Sequence, residues 1–212
     1  LLAFILIAKE NLSTGIVVMA VGFMIMFVAS NRVGNCVVFG MLGALGFILL
    51  VIVEPYRMDR IKGWLDPWSD PSDTGYQVIQ SLFAVASGGL FGLGIGQSRQ
   101  KTFIPESYND IIFAIICEEL GLVGAIVVIL LFALLIWRGT KIAMTAKDKY
   151  SSYMATGITT MIAVQVIINI SVVTNSIPNT GMPMPFISYG GTSLVVMMAS
   201  MGLLLNISRD CK

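Results

Sequence analysis

Residues 111–137 read IIFAIICEELGLVGAIVVILLFALLIW, a run whose only charged residues are Glu118 and Glu119. A helix that crosses a bilayer needs about 20 mostly apolar residues, and this run exceeds that length. The interior of a bilayer offers no water to unpaired backbone groups, so a run of this kind is predicted to form a transmembrane α-helix. The residues do not alternate between polar and apolar as membrane β-strands do.

Similar apolar runs occur along the rest of the chain, and residues 1–8 look like the end of one more. The other predicted spans are residues 12–29, 36–53, 153–174 and 186–207. We therefore predict an all-α polytopic membrane protein with about five membrane helices plus a helix stump, in a single integral membrane domain over residues 1–212. Because the chain begins at Leu1 within an apolar run, we expect it to be part of a longer membrane protein.

The composition excludes several classes of protein. Hydrophobic residues make up 56% of the chain and charged residues 12%, whereas about a quarter of an average soluble domain is charged. The net charge of +1 gives no bias towards polyanions, so nucleic acid is not an expected partner. The absence of histidine removes the commonest general base and the commonest metal ligand. The three cysteines do not suggest a disulfide framework.

The distribution of Lys and Arg in the short loops predicts the orientation in the membrane. Residues 138–150 carry four such residues and residues 175–185 carry none, which places the first loop in the cytoplasm and the second outside. The same alternation puts residues 54–110 outside. That loop is too long for a simple connection, and its aromatic residues indicate a large structured extracytoplasmic region.

A glycine-rich run occupies the middle of this loop, where residues 78–96 read VIQSLFAVASGGLFGLGIG. The first half predicts a helix that does not span the membrane, and the glycines predict an irregular second half. Two interpretations of the glycine run stay open: close approach of its backbone to a phosphate or to the membrane, and a flexible hinge.

The sharpest feature of the loop is its end, residues 104–110, which read IPESYND. Pro105 suits the first turn of a helix, and Glu106 and Asp110, four residues apart, would then share one helix face. Two close carboxylates raise the pKa of one of them, as a general base requires. An acidic first turn that stabilises the helix dipole is the alternative, and the spacing alone favours it.

Two further polar sets have both a structural and a functional interpretation. Glu118 and Glu119 lie inside a predicted span, where charge is costly, and we favour structural hydrogen bonds to neighbouring segments. Residues 175–191, with three prolines and three glycines, are interpreted either as a rigid, turn-rich plug at a helix entrance or as scaffolding for helix packing. The neutral hydrogen-bonding side chains of this plug include Asn179, Thr180, Ser188 and Tyr189.

Three strings together carry a resemblance to a known family. They are DPWSDPSDTGYQVIQSLFAVASGGLFGLGIGQS at 66–98, IPESYNDIIFAIICEELGLVG at 104–124 and IPNTGMPMPFISYGGTSL at 177–194. In this order they resemble the SEDS family of bacterial membrane proteins (shape, elongation, division and sporulation). PFISYGGTSL and LLLNISR are more similar to the FtsW and SpoVE branches of the family than to the RodA branch. The resemblance implies ten membrane helices in the whole protein, of which this chain would be roughly the C-terminal half.

The resemblance also implies an activity. Family members are peptidoglycan glycosyltransferases that polymerise lipid II into glycan strands at the outer face of the bacterial cytoplasmic membrane. The FtsW-type members act in septal wall synthesis during cell division, with a class B penicillin-binding protein and other divisome proteins. The family's essential aspartate lies in a motif similar to LPExxxDF. Here that motif is IPESYNDI, with Ile104 in place of Leu, so the resemblance names Asp110 as the catalytic residue.

The chemistry implied by the resemblance suggests further site residues. An attacking sugar hydroxyl needs a base, and in a chain without histidine the candidates are carboxylates. The leaving pyrophosphate needs positive charge, which Arg99 and Lys101 supply locally. A divalent cation, Mg²⁺ or Mn²⁺, is the one candidate cofactor. The substrate-binding candidates are Glu106, Arg99, Lys101, Gln97, Ser188 and Tyr189.

Two other functions stay open on the sequence. A lipid II flippase needs a polar path across the membrane, and Glu118, Glu119, Gln165 and Asn169 are the residues that could begin one. A non-catalytic division scaffold needs no such path and predicts that Asp110 can be replaced without loss of viability. The polar residues are concentrated in the loops predicted to lie outside, which suits chemistry at that surface better than passage through the membrane.

Overall fold

The computed structural model describes residue 7 and residues 11–30, 33–73, 75–104 and 108–211. The helix stump expected at residues 1–8 lies, except for Ile7, outside the described residues. The same is true of Pro105 and Glu106.

Regular structure in the described residues is entirely helical. The α-helices are α1 Leu12–Ala29, α2 Val33–Val53, α3 Pro55–Leu65, α4 Tyr76–Ser87, α5 Ile112–Thr145, α6 Lys149–Val173 and α7 Gly191–Asp210, with a 3₁₀ turn at Gln100–Thr102. Within this described part, α1, α5, α6 and α7 are long and apolar enough to cross a membrane, and α2 carries a shorter apolar stretch, Cys36–Leu49. The predicted all-α, multi-pass membrane architecture is therefore confirmed.

Side chains cap two of the membrane helices. The Asn11 side chain accepts a hydrogen bond from the Thr14 N–H at the start of α1 (3.1 Å), and the Asp148 carboxylate accepts one from the Ser151 N–H at the start of α6 (2.8 Å). The first N–H groups of a helix have no partner within it, so the side chains replace that partner. The hydrogen bonds from Ser151 hold the pKa of the exposed Asp148 carboxyl below its usual range.

The chain divides into two compact units. One consists of residues 1–53, 133–164 and 191–212, and the other of residues 54–132 and 165–190. In the first unit, Ala143 and Ala155 are buried together with Leu204, and Gly139 lies against the Thr159 side chain. Small residues at such contacts let membrane helices approach closely.

The second unit contains a helix that the sequence analysis does not predict, α3. Its Arg60 side chain donates a hydrogen bond to the Asn179 carbonyl, and its Trp64 Nε1 donates to the Asn175 carbonyl, each at 2.9 Å. These two bonds fix α3 to the loop after α6. Helix α4 follows the expectation for residues 78–96, because it ends at Ser87 and gives way to the glycine run.

Helix α5 is interrupted at Gly121, whose φ of 67° and ψ of −167° are not helical. The glycine run supplies the missing backbone partners at 2.9–3.2 Å: Leu93 and Gly94 N–H donate to the Glu118 and Glu119 carbonyls, and Leu122 and Val123 N–H donate to the Gly89 and Leu90 carbonyls. Irregular backbone at membrane depth is tolerated where protein satisfies it in this way. The uninterrupted helix expected over residues 111–137 is therefore wrong at Gly121.

Candidate functional site

Asp110 lies in a turn, residues 108–111, directly before the first residue of α5, Ile112. The prediction that a helix beginning at Pro105 places Glu106 and Asp110 on one face is wrong at Asp110, which is not helical. Glu106 itself lies outside the described residues. Asp110 is half-buried, so its position is set by the surrounding loops rather than by helix geometry.

The backbone of this turn is bonded to α6 and to the loop that follows α6. The Tyr108 carbonyl accepts a hydrogen bond from the Tyr189 N–H (2.9 Å), and the Asn109 carbonyl accepts one from the Ser188 hydroxyl (2.6 Å). The Asp110 carbonyl accepts one from the Asn169 side chain. In a helix these carbonyls would accept from N–H groups four residues later. Tertiary hydrogen bonds therefore replace helical ones, and α5 begins only at Ile112.

Asn169 is the residue that ties Asp110 to α6. It is fully buried, and its Nδ2 donates to the Asp110 carbonyl and to the Met182 carbonyl, both at 2.7 Å. From the sequence, Asn169 was a candidate only for a transport path, so this contact was missed. The signal in the sequence was the amide side chain itself. Within an apolar membrane helix an unpaired polar group is costly, so such a side chain is expected to find hydrogen-bond partners.

The Asp110 carboxylate lies against Gly181 of the loop after α6. Gly181 has a φ of +63°, and a Cβ placed on it would lie 3.2 Å from Asp110 Oδ2. A glycine thus serves two purposes here, because it adopts a left-handed backbone without strain and leaves room for the carboxylate.

Asn179 connects this loop to the earlier helices of the same unit. Its carbonyl accepts from Arg60 of α3, its side-chain amide donates to Gln77 of α4, and its Oδ1 accepts from the Gly181 N–H (3.2 Å). The loop that faces Asp110 is therefore held from two helices. Neither Arg60 nor Gln77 is predicted from the sequence, because each contact joins residues more than 100 positions apart.

A cavity of about 330 Å³ opens next to the turn that contains Asp110, although Asp110 itself does not line it. Its lining consists of Lys101, Ile104, Tyr108, Ile112 and Ile115, and two of these residues lie two positions on either side of Asp110. The lining combines isoleucine side chains with an ammonium group and a phenol. A cavity of this composition suits an amphipathic ligand that has an apolar part and an anionic or hydroxylated part.

Ser188 and Tyr189, two of the predicted substrate-binding residues, lie next to the Asp110 turn. The Ser188 hydroxyl both donates to Asn109 and accepts from the Met184 N–H (2.7 Å), so it is engaged in holding the loop. The Tyr189 ring packs edge-on against Tyr108, with 5.7 Å between the ring centroids, and its side chain is exposed. Tyr189 is thus the member of this pair that is accessible to a ligand.

Glu118, fully buried in α5, organises the turn that carries the basic residues. Its carboxylate accepts hydrogen bonds from the Ser98 hydroxyl, the Arg99 N–H, the Gln100 N–H and the Ser87 hydroxyl. The Glu119 carboxylate accepts a longer one from the Ser98 N–H (3.4 Å). Both acids therefore make the structural polar contacts expected from the sequence. Four donors around one carboxylate satisfy most of its acceptor capacity.

The remaining predicted residues lie on this turn. Lys101 lines the cavity, and its ammonium group donates to the Gly96 carbonyl (2.7 Å). Gln97 and Arg99 are exposed on the same turn and are not among the described residues that line the cavity. The structure thus brings Lys101 to the same cavity as Tyr108 and Ile112, whereas the backbone N–H of Arg99 is bonded to Glu118 and that of Gln97 to the Gly94 carbonyl.

The described residues contain no cluster of three candidate metal ligands. No group of three or more His, Cys, Asp or Glu side chains in this part of the chain is close enough to hold an ion.

Known proteins resemble this chain over nearly its whole length. Residues 1–212 match the FtsW/RodA/SpoVE family, described as cell cycle proteins. Stage V sporulation protein E from Bacillus subtilis is 51% identical over 97% of this chain. A probable peptidoglycan glycosyltransferase FtsW from Geobacter sp. is 38% identical over 96% of it. The chain spans 56% of each of these two relatives.

Solved structures share the fold. A chain from a peptidoglycan synthase complex, described for its coordination of polymerization and crosslinking, superposes with a TM-score of 0.73 at 29% identity. The match covers 97% of this chain and 58% of that one. The rod shape determining protein RodA from Thermus thermophilus superposes with a TM-score of 0.60 at 25% identity, covering 95% of this chain and 50% of that one.

Proposed function

This chain belongs to the FtsW/RodA/SpoVE family, and from that premise we propose that the protein is a peptidoglycan glycosyltransferase that polymerises lipid II. The observation that carries the proposal is the position of Asp110. It belongs to a non-helical turn directly before a membrane helix, and its neighbours Tyr108 and Ile112 line a cavity together with Lys101. The naming of similar proteins as probable peptidoglycan glycosyltransferases supports the same activity.

In the proposed reaction, Asp110 is the general base. A sugar hydroxyl of one substrate attacks the anomeric carbon of another, and the new glycosidic C–O bond forms as the bond from that carbon to the lipid pyrophosphate breaks. The hydroxyl proton passes to the Asp110 carboxylate, and the electron pair of the broken bond leaves with the pyrophosphate. A positioned base of this kind contributes about 10²–10⁴-fold to a rate.

The cavity lining supports a lipid-linked substrate. Ile104, Ile112 and Ile115 present apolar surface, while the Lys101 ammonium group supplies positive charge at the same cavity. Positive charge placed near a departing pyrophosphate stabilises the negative charge that develops there. We assign Lys101 to the pyrophosphate, with Arg99, Gln97 and Tyr189 as further substrate contacts from the neighbouring loops. Glu106 and Ser188 complete the proposed substrate-binding set.

The proposed location is the outer face of the bacterial cytoplasmic membrane. The distribution of Lys and Arg supports it, because residues 138–150 carry four cationic side chains and residues 175–185 carry none. We propose septal wall synthesis during cell division as the process. The proposed partners are a class B penicillin-binding protein and other divisome proteins. The similar chain from a complex that coordinates polymerization and crosslinking supports a partner of this type.

A lipid II flippase is less well supported. Its polar path would need Glu118, but that carboxylate is occupied by four donors from the loop segments around it. Asn169, another residue of that path, donates its amide N–H groups to two backbone carbonyls. Groups committed to the fold in this way are poor binding sites for a moving headgroup.

The test is the polymerisation of purified lipid II by the full-length protein together with its penicillin-binding partner. Asp110→Asn, which keeps the size of the side chain and removes its basicity, is expected to abolish polymerisation while membrane insertion and partner binding persist. Asp59→Asn is the matched control, because Asp59 is an exposed acid of the same loop that pairs only weakly with Lys62. Wild-type glycan synthesis by Asp110→Asn would sink the proposal, and lipid II transport without polymerisation by the wild type would favour the flippase.

A further inference from the structure

Asn169 makes two hydrogen bonds that converge on the surroundings of the Asp110 carboxylate. The Asn169 side chain is fully buried in α6. One amide nitrogen donates to the backbone carbonyl of Asp110 and to that of Met182, each at 2.7 Å. The first bond fixes the backbone that bears the carboxylate. The second fixes the residue next to Gly181, against which the carboxylate lies.

The turn needs such an external brace, because helical hydrogen bonding does not hold Asp110. The first helical residue is Ile112, and the carbonyls of residues 108–110 are bonded to groups outside α5. Two of those bonds, from Ser188 and Tyr189, come from a loop. The bond from Asn169 is the one that comes from a helix, and a helix is the more rigid support.

The Asn169 amide is kept in this place at a cost. Its Oδ1 is buried and has no hydrogen-bond partner among the described residues. A buried acceptor without a partner lowers stability by about 1–3 kcal/mol. The local gain from this side chain therefore lies in the donor end, which spans the two carbonyls on either side of the carboxylate.

We infer that Asn169 is a positioning residue that holds the Asp110 carboxylate in register with the attacking hydroxyl. This inference rests on the proposed function, because it assigns Asn169 a role in the same reaction. Asn169 does not touch the reacting atoms and acts only through the two backbone segments. Loss of this support displaces the base without removing it. We therefore expect kcat to fall while KM stays nearly unchanged.

The experiment measures kcat and KM for lipid II with the full-length protein in complex with its partner. Asn169→Ala removes both donors, and kcat is expected to fall about 10- to 100-fold, the scale of a displacement of about 1 Å at a reacting group. KM is expected to stay within about twofold, because the cavity lining is unchanged. Asn169→Asp keeps the shape of the side chain. Between two carbonyls it holds its proton and donates one bond instead of two, which predicts an intermediate kcat.

Gln165→Leu is the matched control. Gln165 lies one turn earlier on α6, and its side-chain oxygen has no partner among the described residues. This variant is expected to keep the wild-type kcat. If it loses as much turnover as Asn169→Ala, the effect is general repacking of α6 and the inference fails. It also fails if kcat per folded molecule is normal in both Asn169 variants, or if KM rises while kcat is unchanged.

The Asp110→Asn variant, assayed in parallel, distinguishes failure of the positioning role of Asn169 from failure of the proposed function. An inactive Asp110→Asn with normal Asn169 variants removes the positioning role and leaves the proposed function standing. An active Asp110→Asn removes the proposed function whatever the Asn169 variants do. Should Asn169→Ala not fold, the Asn169→Asp variant decides alone, with a lowered kcat at unchanged KM supporting the inference and a wild-type kcat overturning it.

Discussion

The carboxylate of Asp110 lies on the side of Gly181 where a side chain would be, although 71 positions separate the two residues in the chain. A Cβ at residue 181 would lie 3.2 Å from Asp110 Oδ2, which is tighter than ordinary van der Waals contact, and the φ of Gly181 is +63°. The loop after α6 therefore forms one wall of the position that the carboxylate occupies.

Gly181→Ala is expected to lower polymerisation about tenfold or more, because the added methyl group pushes the carboxylate aside and strains the backbone. The measurement is kcat for lipid II with the full-length protein and its partner. Gly202→Ala is the control, since a Cβ there has no atom within 4 Å and residue 202 lies within α7. Equal activity of the two variants would show that the contact with Asp110 does not matter for turnover.

Glu118→Gln is expected to destabilise the second unit by about 1.5–3 kcal/mol, the usual scale for hydrogen bonds to a charged group. The Arg99 N–H donates to one carboxylate oxygen and the Gln100 N–H to the other. An amide replaces one of these two oxygens by an N–H₂ group, so whichever way it is oriented, one of the two hydrogen bonds is lost. The measurement is thermal unfolding of the purified protein, together with KM for lipid II, which should rise because the turn that carries Lys101 loosens.

Glu119→Gln provides the comparison for that variant. The Glu119 side chain is half-buried, and the described contact of its carboxylate is the single 3.4 Å bond from the Ser98 N–H. Its unfolding temperature should stay close to that of the wild type. A larger loss in Glu119→Gln than in Glu118→Gln would contradict the assignment of the turn to Glu118.

Gly121→Ala is expected to prevent correct insertion or folding. A Cβ at this break in α5 would collide with the backbone of Leu90 and Gly92, and backbone atoms cannot move aside as a flexible side chain can. The measurement is the yield of folded protein in the membrane. Gly96→Ala tests strain without collision, because Gly96 also has a positive φ (+79°) but a Cβ there has no neighbour within 4 Å. If both variants accumulate normally, the interlock between the glycine run and α5 is not needed for folding.

Asp148 gives a prediction about pH. Its folded-state pKa is depressed by hydrogen bonds from Ser151, so its stabilising effect is present above the unfolded pKa and is lost as pH falls through the folded pKa. Asp148→Ala should therefore lower the unfolding temperature at neutral pH. The difference from the wild type should shrink in acid below the ordinary aspartate pKa of 3.8.

Asp148→Asn is the matched variant for that test. Asparagine also caps helix N-termini, but it does not titrate. Its unfolding temperature relative to Asp148→Ala should therefore not depend on pH in the acid range. A difference between Asp148→Ala and the wild type that stays constant down to strong acid would contradict the role of the carboxylate.

The membrane helices could be predicted because the property that forms them, a long apolar run, lies within each segment. A run such as residues 111–137 must satisfy its backbone groups internally wherever it meets lipid, and apolar length alone signals that. The same reasoning accounts for α4, because the glycines after Ser87 end the helix from within the segment. It fails at Gly121, because the backbone groups freed by the break in α5 form hydrogen bonds with the glycine run about 30 residues earlier.

For the candidate site, the residue types can be read from the sequence: a carboxylate at 110, cationic side chains at 99 and 101, and no histidine. The way in which these side chains are held depends on contacts between distant segments. Asp110 is outside the helix because its backbone carbonyl bonds to Asn169, and its carboxylate rests on Gly181 because Asn179 binds α3 and α4. Hydrogen bonds between segments 59 to 119 residues apart leave no periodic trace in the chain, so the pattern of residues names the base but not its support.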